Sequence, residues 1–140
     1  MDTYDVVFID DEEFMTEIFR QFVARKYTDW RCAAFTDSVD ACEQIANQGL
    51  SARIWIVDLM MPDVSGAQIA EAIRANHREK QNWEETLVIA YTALERPELL
   101  RHSEFRHSMH LFDWIINKRT MLPEILLQIK PVLDLTKSKE

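Results

Sequence analysis

Four apolar runs in this chain each stop at a side chain built to handle charge. Asp10 and Asp11 follow Val6-Val7-Phe8-Ile9, and Asp58 follows Ile54-Trp55-Ile56-Val57. Thr92 closes Leu87-Val88-Ile89-Ala90-Tyr91, and Lys118 comes just after Trp114-Ile115-Ile116. Carboxylates can hold a hard cation through oxygen or act as nucleophiles, a hydroxyl can donate a hydrogen bond, and an ammonium can oppose phosphate charge. Any one of these residues could simply end a strand in water. Four strand ends carrying three carboxylates, one hydroxyl and one ammonium form a set that strand termination alone does not explain. The chain has only 2 glycines, so it lacks a phosphate-cradling glycine loop. A phosphate group would have to be held by side chains, a metal ion and ordinary backbone amides.

The elements that must position these groups can be read from hydrophobic spacing. The short continuous apolar runs predict parallel strands covered on both faces. Another strand is expected over residues 31–35. Phe14, Met15, Ile18, Phe19, Phe22 and Val23 recur at helical spacing and predict one apolar stripe. Thr36-Asp37-Ser38 supplies N-cap chemistry for a second helix, with Val39, Cys42, Ile45 and Ala46 as its buried face and Gly49 at its end. After a turn at Met61-Pro62, Ile69, Ala70 and Ile73 mark a third helix. Residues 95–110 carry little periodicity; Pro97 is suited to begin a short helix around Leu99 and Leu100. Leu122, Ile125, Leu126 and Ile129 mark the last helix, which Pro131 is expected to limit. Five strands alternating with five helices give an α/β fold on a parallel sheet. In such sheets ligands bind beyond the carboxyl ends of the strands, where all the charged termini fall.

A length of 140 residues suits one domain, expected over residues 1–134, with residues 135–140 as a loose polar tail. The 24 acidic and 16 basic side chains leave a net charge of −8, which suits a divalent cation and argues against direct contact with nucleic acid. Cys32 and Cys42 have no metal-ligand or redox spacing, and Cys42 is expected to be a reduced, buried thiol. The acidic N-terminus lacks a signal-peptide layout, and no apolar run approaches the roughly 18–20 residues of a membrane span, so a cytoplasmic protein is expected.

Taken together, these residues resemble the receiver domains of response regulators in bacterial two-component signalling. Asp10-Asp11-Glu12 is similar to the family's opening acidic pair, and Asp58-Leu59-Met60-Met61-Pro62-Asp63-Val64-Ser65-Gly66 to its phosphoacceptor motif, proline and glycine included. Ala90-Tyr91-Thr92-Ala93 and Asn117-Lys118 are similar to its threonine and lysine segments. The resemblance runs from about Tyr4 to Leu133. It implies a flavodoxin-like, doubly wound, five-stranded parallel sheet in the order 2-1-3-4-5 with five helices. It implies that Asp58 accepts a phosphoryl group from a histidine kinase or phosphotransfer protein, with Thr92 and Lys118 assisting. By the same resemblance Mg2+ is ligated by Asp11, Asp58 and the backbone carbonyl of Met60, while Asp10 holds a metal-bound water. Three adjacent carboxylates would repel one another without a cation, so the physics agrees. The implied consequence is a switched strand-4/strand-5 face that binds a downstream protein target or effector domain, homodimerisation on activation being one outcome it allows.

Some positions depart from the family pattern. Ile115 stands where an aromatic residue is usual, three residues before the lysine; Trp114 is one residue off, and alternation along a strand puts it on the opposite face. Arg119 replaces the proline that usually follows the lysine. Met60 and Leu94 occupy positions that tune phosphate lifetime, and as apolar residues they predict slow self-dephosphorylation. His102, His107 and His110, with Arg101, Arg106 and Arg119, are expected to form a solvated, partly basic partner face rather than a zinc site. His77 to Asn82 read as a polar connection, with Trp83 as its anchor. Two rival functions fit the pattern less well. A magnesium-dependent phosphatase of the haloacid dehalogenase class needs aspartates two apart, but Glu12 is two residues after Asp10. A phosphorylation-independent receiver-like binding module would commonly lack part of the acidic set, which is complete here.

Overall fold

Val6, Val7, Phe8 and Ile9 are all fully buried, although successive side chains on a strand point to opposite faces. Both faces of their sheet must therefore be covered. The computed structural model describes residues 3–79 and 86–138. It places β1 at Tyr4–Ile9, α1 at Glu13–Lys26, β2 at Cys32–Phe35, α2 at Ser38–Asn47, β3 at Ala52–Asp58 and α3 at Gly66–Glu79. There follow β4 at Leu87–Thr92, α4 at Arg96–Arg101, α5 at Ser103–Ser108, a 3-10 turn at Met109–Leu111, β5 at Trp114–Asn117 and α6 at Leu122–Ser138. The expected anchoring role of Trp83 lies outside the described residues.

The sheet order is β2-β1-β3-β4-β5, as the resemblance implied, and each neighbouring pair is parallel. Val6, Phe8, Ile54, Ile56, Ile89 and Tyr91 pack against Phe19 and Val23 of α1 and Leu122, Ile125, Leu126, Ile129 and Leu133 of α6. Val7, Ile9, Trp55, Val57 and Val88 meet Ala41 and Ile45 of α2 and Ile69, Ala70 and Ile73 of α3 on the other face. A smaller cluster of Leu59, Ala67, Ala90, Leu99 and Phe105 seats α4 and α5.

Several local expectations are corrected by the structure. Phe14 is 73% exposed, so the buried stripe of α1 is narrower than its apolar residues suggested. The inner face of α2 is formed by Ser38, Ala41 and Ile45; Val39 and Ala46 are exposed and Cys42 is half-buried. The reason is the cap. Asp37 accepts the amides of Val39 and Asp40 at 2.9 and 3.2 Å, and Ser38 donates to the Pro62 carbonyl at 2.8 Å, which fixes the helix's rotation. Neither cysteine is in a disulfide.

Among the described residues there are six α-helices rather than five, because residues 95–110 split at His102. Leu99 and Phe105 are both buried, and six residues of unbroken helix would put them about 120° apart around the axis. A break at His102, whose backbone is extended, turns both toward the core. The final helix also runs past Pro131, as far as Ser138. Pro131 and Leu127, whose carbonyl it cannot serve, both lie on the exposed side, while Ile129 and Leu133 are buried opposite. Burial on one face outweighs the proline because the lost hydrogen bond faces water.

Candidate functional site

The chain's charged strand ends converge. Asp10, just past β1, is 0% exposed, and Asp58, the last residue of β3, is 5% exposed. Asp11 is exposed at the mouth. One carboxylate oxygen from each of the three lies within 4.8 Å of the others, and they are the only such group of metal-ligating side chains among the described residues. The Lys118 Nζ stands 2.9 Å from Asp10 Oδ2, 3.5 Å from Asp58 Oδ2 and 4.0 Å from Glu12 Oε1.

Local structure holds each group. The Glu12 amide donates to Asp10 Oδ1 at 2.9 Å, turning the carboxylate inward. Asp10 Oδ2 is buried with no hydrogen-bond partner, so its contact with the lysine is an ion pair without aligned hydrogen-bond geometry. Beyond Asp58 the chain folds back at once, the Gly66 amide donating to the Leu59 carbonyl at 3.0 Å. A Cβ on Gly66 would sit 2.3 Å from the Asp58 carbonyl oxygen, so this return requires glycine. Asp63 in this turn has φ 68°, a conformation aspartate tolerates better than most residues. Ser65 and Gln68 cap α3 reciprocally, at 2.9 and 3.3 Å.

Thr92 is buried at the end of β4. Its Oγ accepts the Leu94 amide at 3.0 Å, and its carbonyl accepts the Lys118 amide at 2.8 Å, binding the lysine's backbone to β4. Met60 lies two residues past Asp58 with its side chain 53% exposed. His102, His107 and His110 form no group with each other; His102 stacks on Phe105 at 4.3 Å. The register settles the aromatic question. Ile115 pairs with Ala90 and shares the face of Thr92, whereas Trp114 pairs with Ile89 on the opposite face. Two residues near the lysine were not singled out by spacing. Glu12 approaches its ammonium, and Tyr91 lies 5.8 Å below it while donating its hydroxyl to the Thr120 carbonyl at 2.8 Å. The signal for Tyr91 was its place beside Thr92.

Electrostatics follow from burial. The Asp58 carboxyl is pushed up to about 7, first by burial and then by Asp10, with Asp11 adding and Lys118 opposing. Asp10 is also raised by burial, against the Glu12 amide and Lys118. Burial works against charge on Lys118, but the close ion pair with Asp10 and the fields of Asp58 and Glu12 outweigh it, so its ammonium is held more firmly than usual. The all-oxygen donor set and its shared negative charge fit a hard divalent cation.

With this geometry in place, comparison with known proteins is decisive. The family model described as the response regulator receiver domain matches residues 6–123. The chain belongs to that receiver-domain family. Among curated proteins, the transcriptional regulatory protein CssR of Bacillus subtilis (strain 168) is 26% identical over 73 residues, covering 52% of this chain and 30% of CssR. The chain therefore matches under a third of that relative's length. A CheY-like receiver domain from Methanospirillum hungatei JF-1 superposes with a TM-score of 0.71 at 18% identity, covering 99% of this chain and 100% of the other. A BeF3-activated DrrB receiver domain gives 0.66 at 20% identity, covering 95% and 99%. The receiver fold and its acidic cluster identify a phosphoacceptor domain of two-component signalling, and the phosphorylation-independent alternative is not favoured.

Proposed function

We propose that Asp58 is the phosphoacceptor of this receiver domain and that Asp10, Asp11, Thr92 and Lys118 serve its phosphorylation. The observation that carries this reading is the Lys118 ammonium lying between the two buried carboxylates, grouped with a third at the mouth. An Asp58 carboxylate oxygen attacks phosphorus of a phosphohistidine on a histidine kinase or phosphotransfer protein. The P–N bond breaks, its electron pair leaves on the imidazole nitrogen, and that nitrogen takes up a proton.

Asp11, Asp58 and the Met60 backbone carbonyl would hold Mg2+, with Asp10 placing a water beside it. When bound, the ion neutralises charge on the transferring group. Lys118 opposes the same charge from the other side, its reach set by the 2.8 Å backbone bond to Thr92. The Thr92 hydroxyl accepts from Leu94 and keeps its own proton to donate to a phosphoryl oxygen. Such transfers depend on positioning and electrostatics more than on proton chemistry, so the protein acts as a signalling phosphoacceptor.

Phosphorylation then biases the β4/β5 face toward one arrangement for a downstream protein partner. The net charge of −8 favours a protein over nucleic acid as the direct contact. No described helix is long and apolar enough to cross a membrane, and we place the domain in the cytoplasm.

The test is intact mass after incubation with acetyl phosphate and magnesium. One added phosphate on the wild type, absent from Asp58→Asn and after prior chelation, is expected. An unmodified wild type, or a modified Asp58→Asn, would count against the assignment.

A further inference from the structure

Lys118 must cross the end of the sheet to reach Asp10 and Asp58, and the residue lying beneath its path is Tyr91. In the sheet Tyr91 pairs with Asp58 on one side and with Ile116 on the other. Ile116 and Lys118 are two residues apart and share a face, which is the face of Tyr91. The lysine side chain therefore extends from β5 over the Tyr91 ring, its Nζ 5.8 Å from the centroid, toward the carboxylate of Tyr91's other neighbour.

The same tyrosine holds the loop that carries the lysine. Its hydroxyl donates to the Thr120 carbonyl at 2.8 Å, two residues past Lys118. Arg119 follows the lysine, so the backbone restriction a proline would supply is absent at that position. Side-chain bonds do the fixing instead. Asn117 donates to the Leu94 carbonyl at 3.2 Å and accepts the Arg119 amide at 2.9 Å, while the Arg119 guanidinium pairs with Glu95 at the start of α4. Of these contacts, only that of Tyr91 combines an anchor on the loop with a surface under the ammonium.

We propose that Tyr91 is the positioning residue for Lys118, its hydroxyl fixing the β5–α6 loop and its ring supporting the ammonium beside Asp58. This rests on the reading of Asp58 as phosphoacceptor. The lysine can oppose phosphoryl charge only if its Nζ is delivered to one place, and a flexible four-carbon stem does not do that alone. The ring adds a weak attraction for the cation, and the hydroxyl bond removes a loop freedom that would otherwise smear the ammonium's position.

The experiment is a double-mutant cycle on the full chain. Initial rates of acetyl phosphate labelling in magnesium are read by intact mass for wild type, Tyr91→Phe, Lys118→Ala and the double variant. Tyr91→Phe keeps the ring and should slow labelling about five- to tenfold, the effect expected of one lost hydrogen bond. In the Lys118→Ala background the same change should have no further effect. An equal slowing in both backgrounds, or none in either, overturns the proposal. A general structural role would give that additive pattern. The Lys118 side-chain NH3+ resonance is followed in wild type and Tyr91→Phe by NMR. If the wild type takes up no phosphate, the phosphoacceptor reading fails by itself. The resonance then still decides: displacement in Tyr91→Phe upholds the positioning role and an unmoved signal ends it.

Discussion

At the scale of single residues, the site depends on one glycine as much as on its carboxylates. Gly66 begins α3 with its Cα against the Asp58 carbonyl, and an added methyl would lie 2.3 Å from that oxygen and 2.7 Å from the Leu59 Cα. Both neighbours are backbone, so neither can rotate aside. Gly66→Ala should therefore displace the acceptor turn, destabilising the fold by about 1–3 kcal/mol and cutting labelling of Asp58 by more than its loss of stability explains. Urea unfolding and mass labelling on the same samples would separate the two effects. Met60 poses the opposite case. Its side chain is exposed beside the acceptor and has no donor to orient an attacking water. Met60→Gln supplies one, and the phosphorylated protein should lose its phosphate several-fold faster, read as mass loss over time in magnesium buffer. Equal lifetimes would remove Met60 from any control of persistence.

At the scale of elements, strands were far more legible than helix faces. Val6-Val7-Phe8-Ile9 and Ile54-Trp55-Ile56-Val57 could only be covered strands, and the charged residues ending them mark the mouth of the site directly. The convergence of Asp10, Asp11, Asp58 and Lys118 was thus readable because strand ends are fixed by abrupt loss of hydrophobicity. Helix rotation was legible in α3 and α6, whose expected inner residues are buried, but not in α2. There the inward turn of Ser38 and Ala41, with Val39 left outside, is set by the Asp37 cap and the Ser38–Pro62 bond, a contact between residues 24 apart. Local spacing contains no trace of it. The break at His102 likewise answers to where Leu99 and Phe105 must both go. Pro131 misled because its penalty depends on which side of the helix it occupies. In α6 it faces water, yet it still removes one hydrogen bond and strains the preceding turn. Pro131→Ala should accordingly stabilise the domain, by up to about 3 kcal/mol, with labelling of Asp58 unchanged. A lower thermal midpoint in Pro131→Ala would mean that the proline's fixed backbone is needed to seat Leu133.

For the molecule as a whole, the same cluster that gives function should cost stability when no cation is bound. The Asp58 carboxyl titrates at about 7 in the folded protein against an ordinary 3.8, chiefly because it is buried and faces Asp10. A raised carboxyl pKa means the folded state binds a proton that the unfolded chain has already released. Stability contributed by this group is thus greatest below about pH 4 and falls as pH rises through 7, by about 1.4 kcal/mol per unit in between. Asp10 is raised in the same direction and adds to the slope, whereas Lys118, also raised, matters only in the alkaline range. In chelator the wild type should therefore be about 2–3 kcal/mol more stable at pH 5 than at pH 8, read from urea titrations. Asp58→Asn should flatten this dependence and be the more stable protein at pH 8. Magnesium should reverse the ranking. At a hundred times its dissociation constant a cation adds about 2.7 kcal/mol to a wild-type site that binds it only when folded. Protons compete for the same carboxylates, so the gain should be larger at pH 8 than at pH 5. A wild type whose metal-free stability rises from pH 5 to pH 8 would show that Asp58 is ionised well below neutrality, with Lys118 outweighing burial in setting its charge.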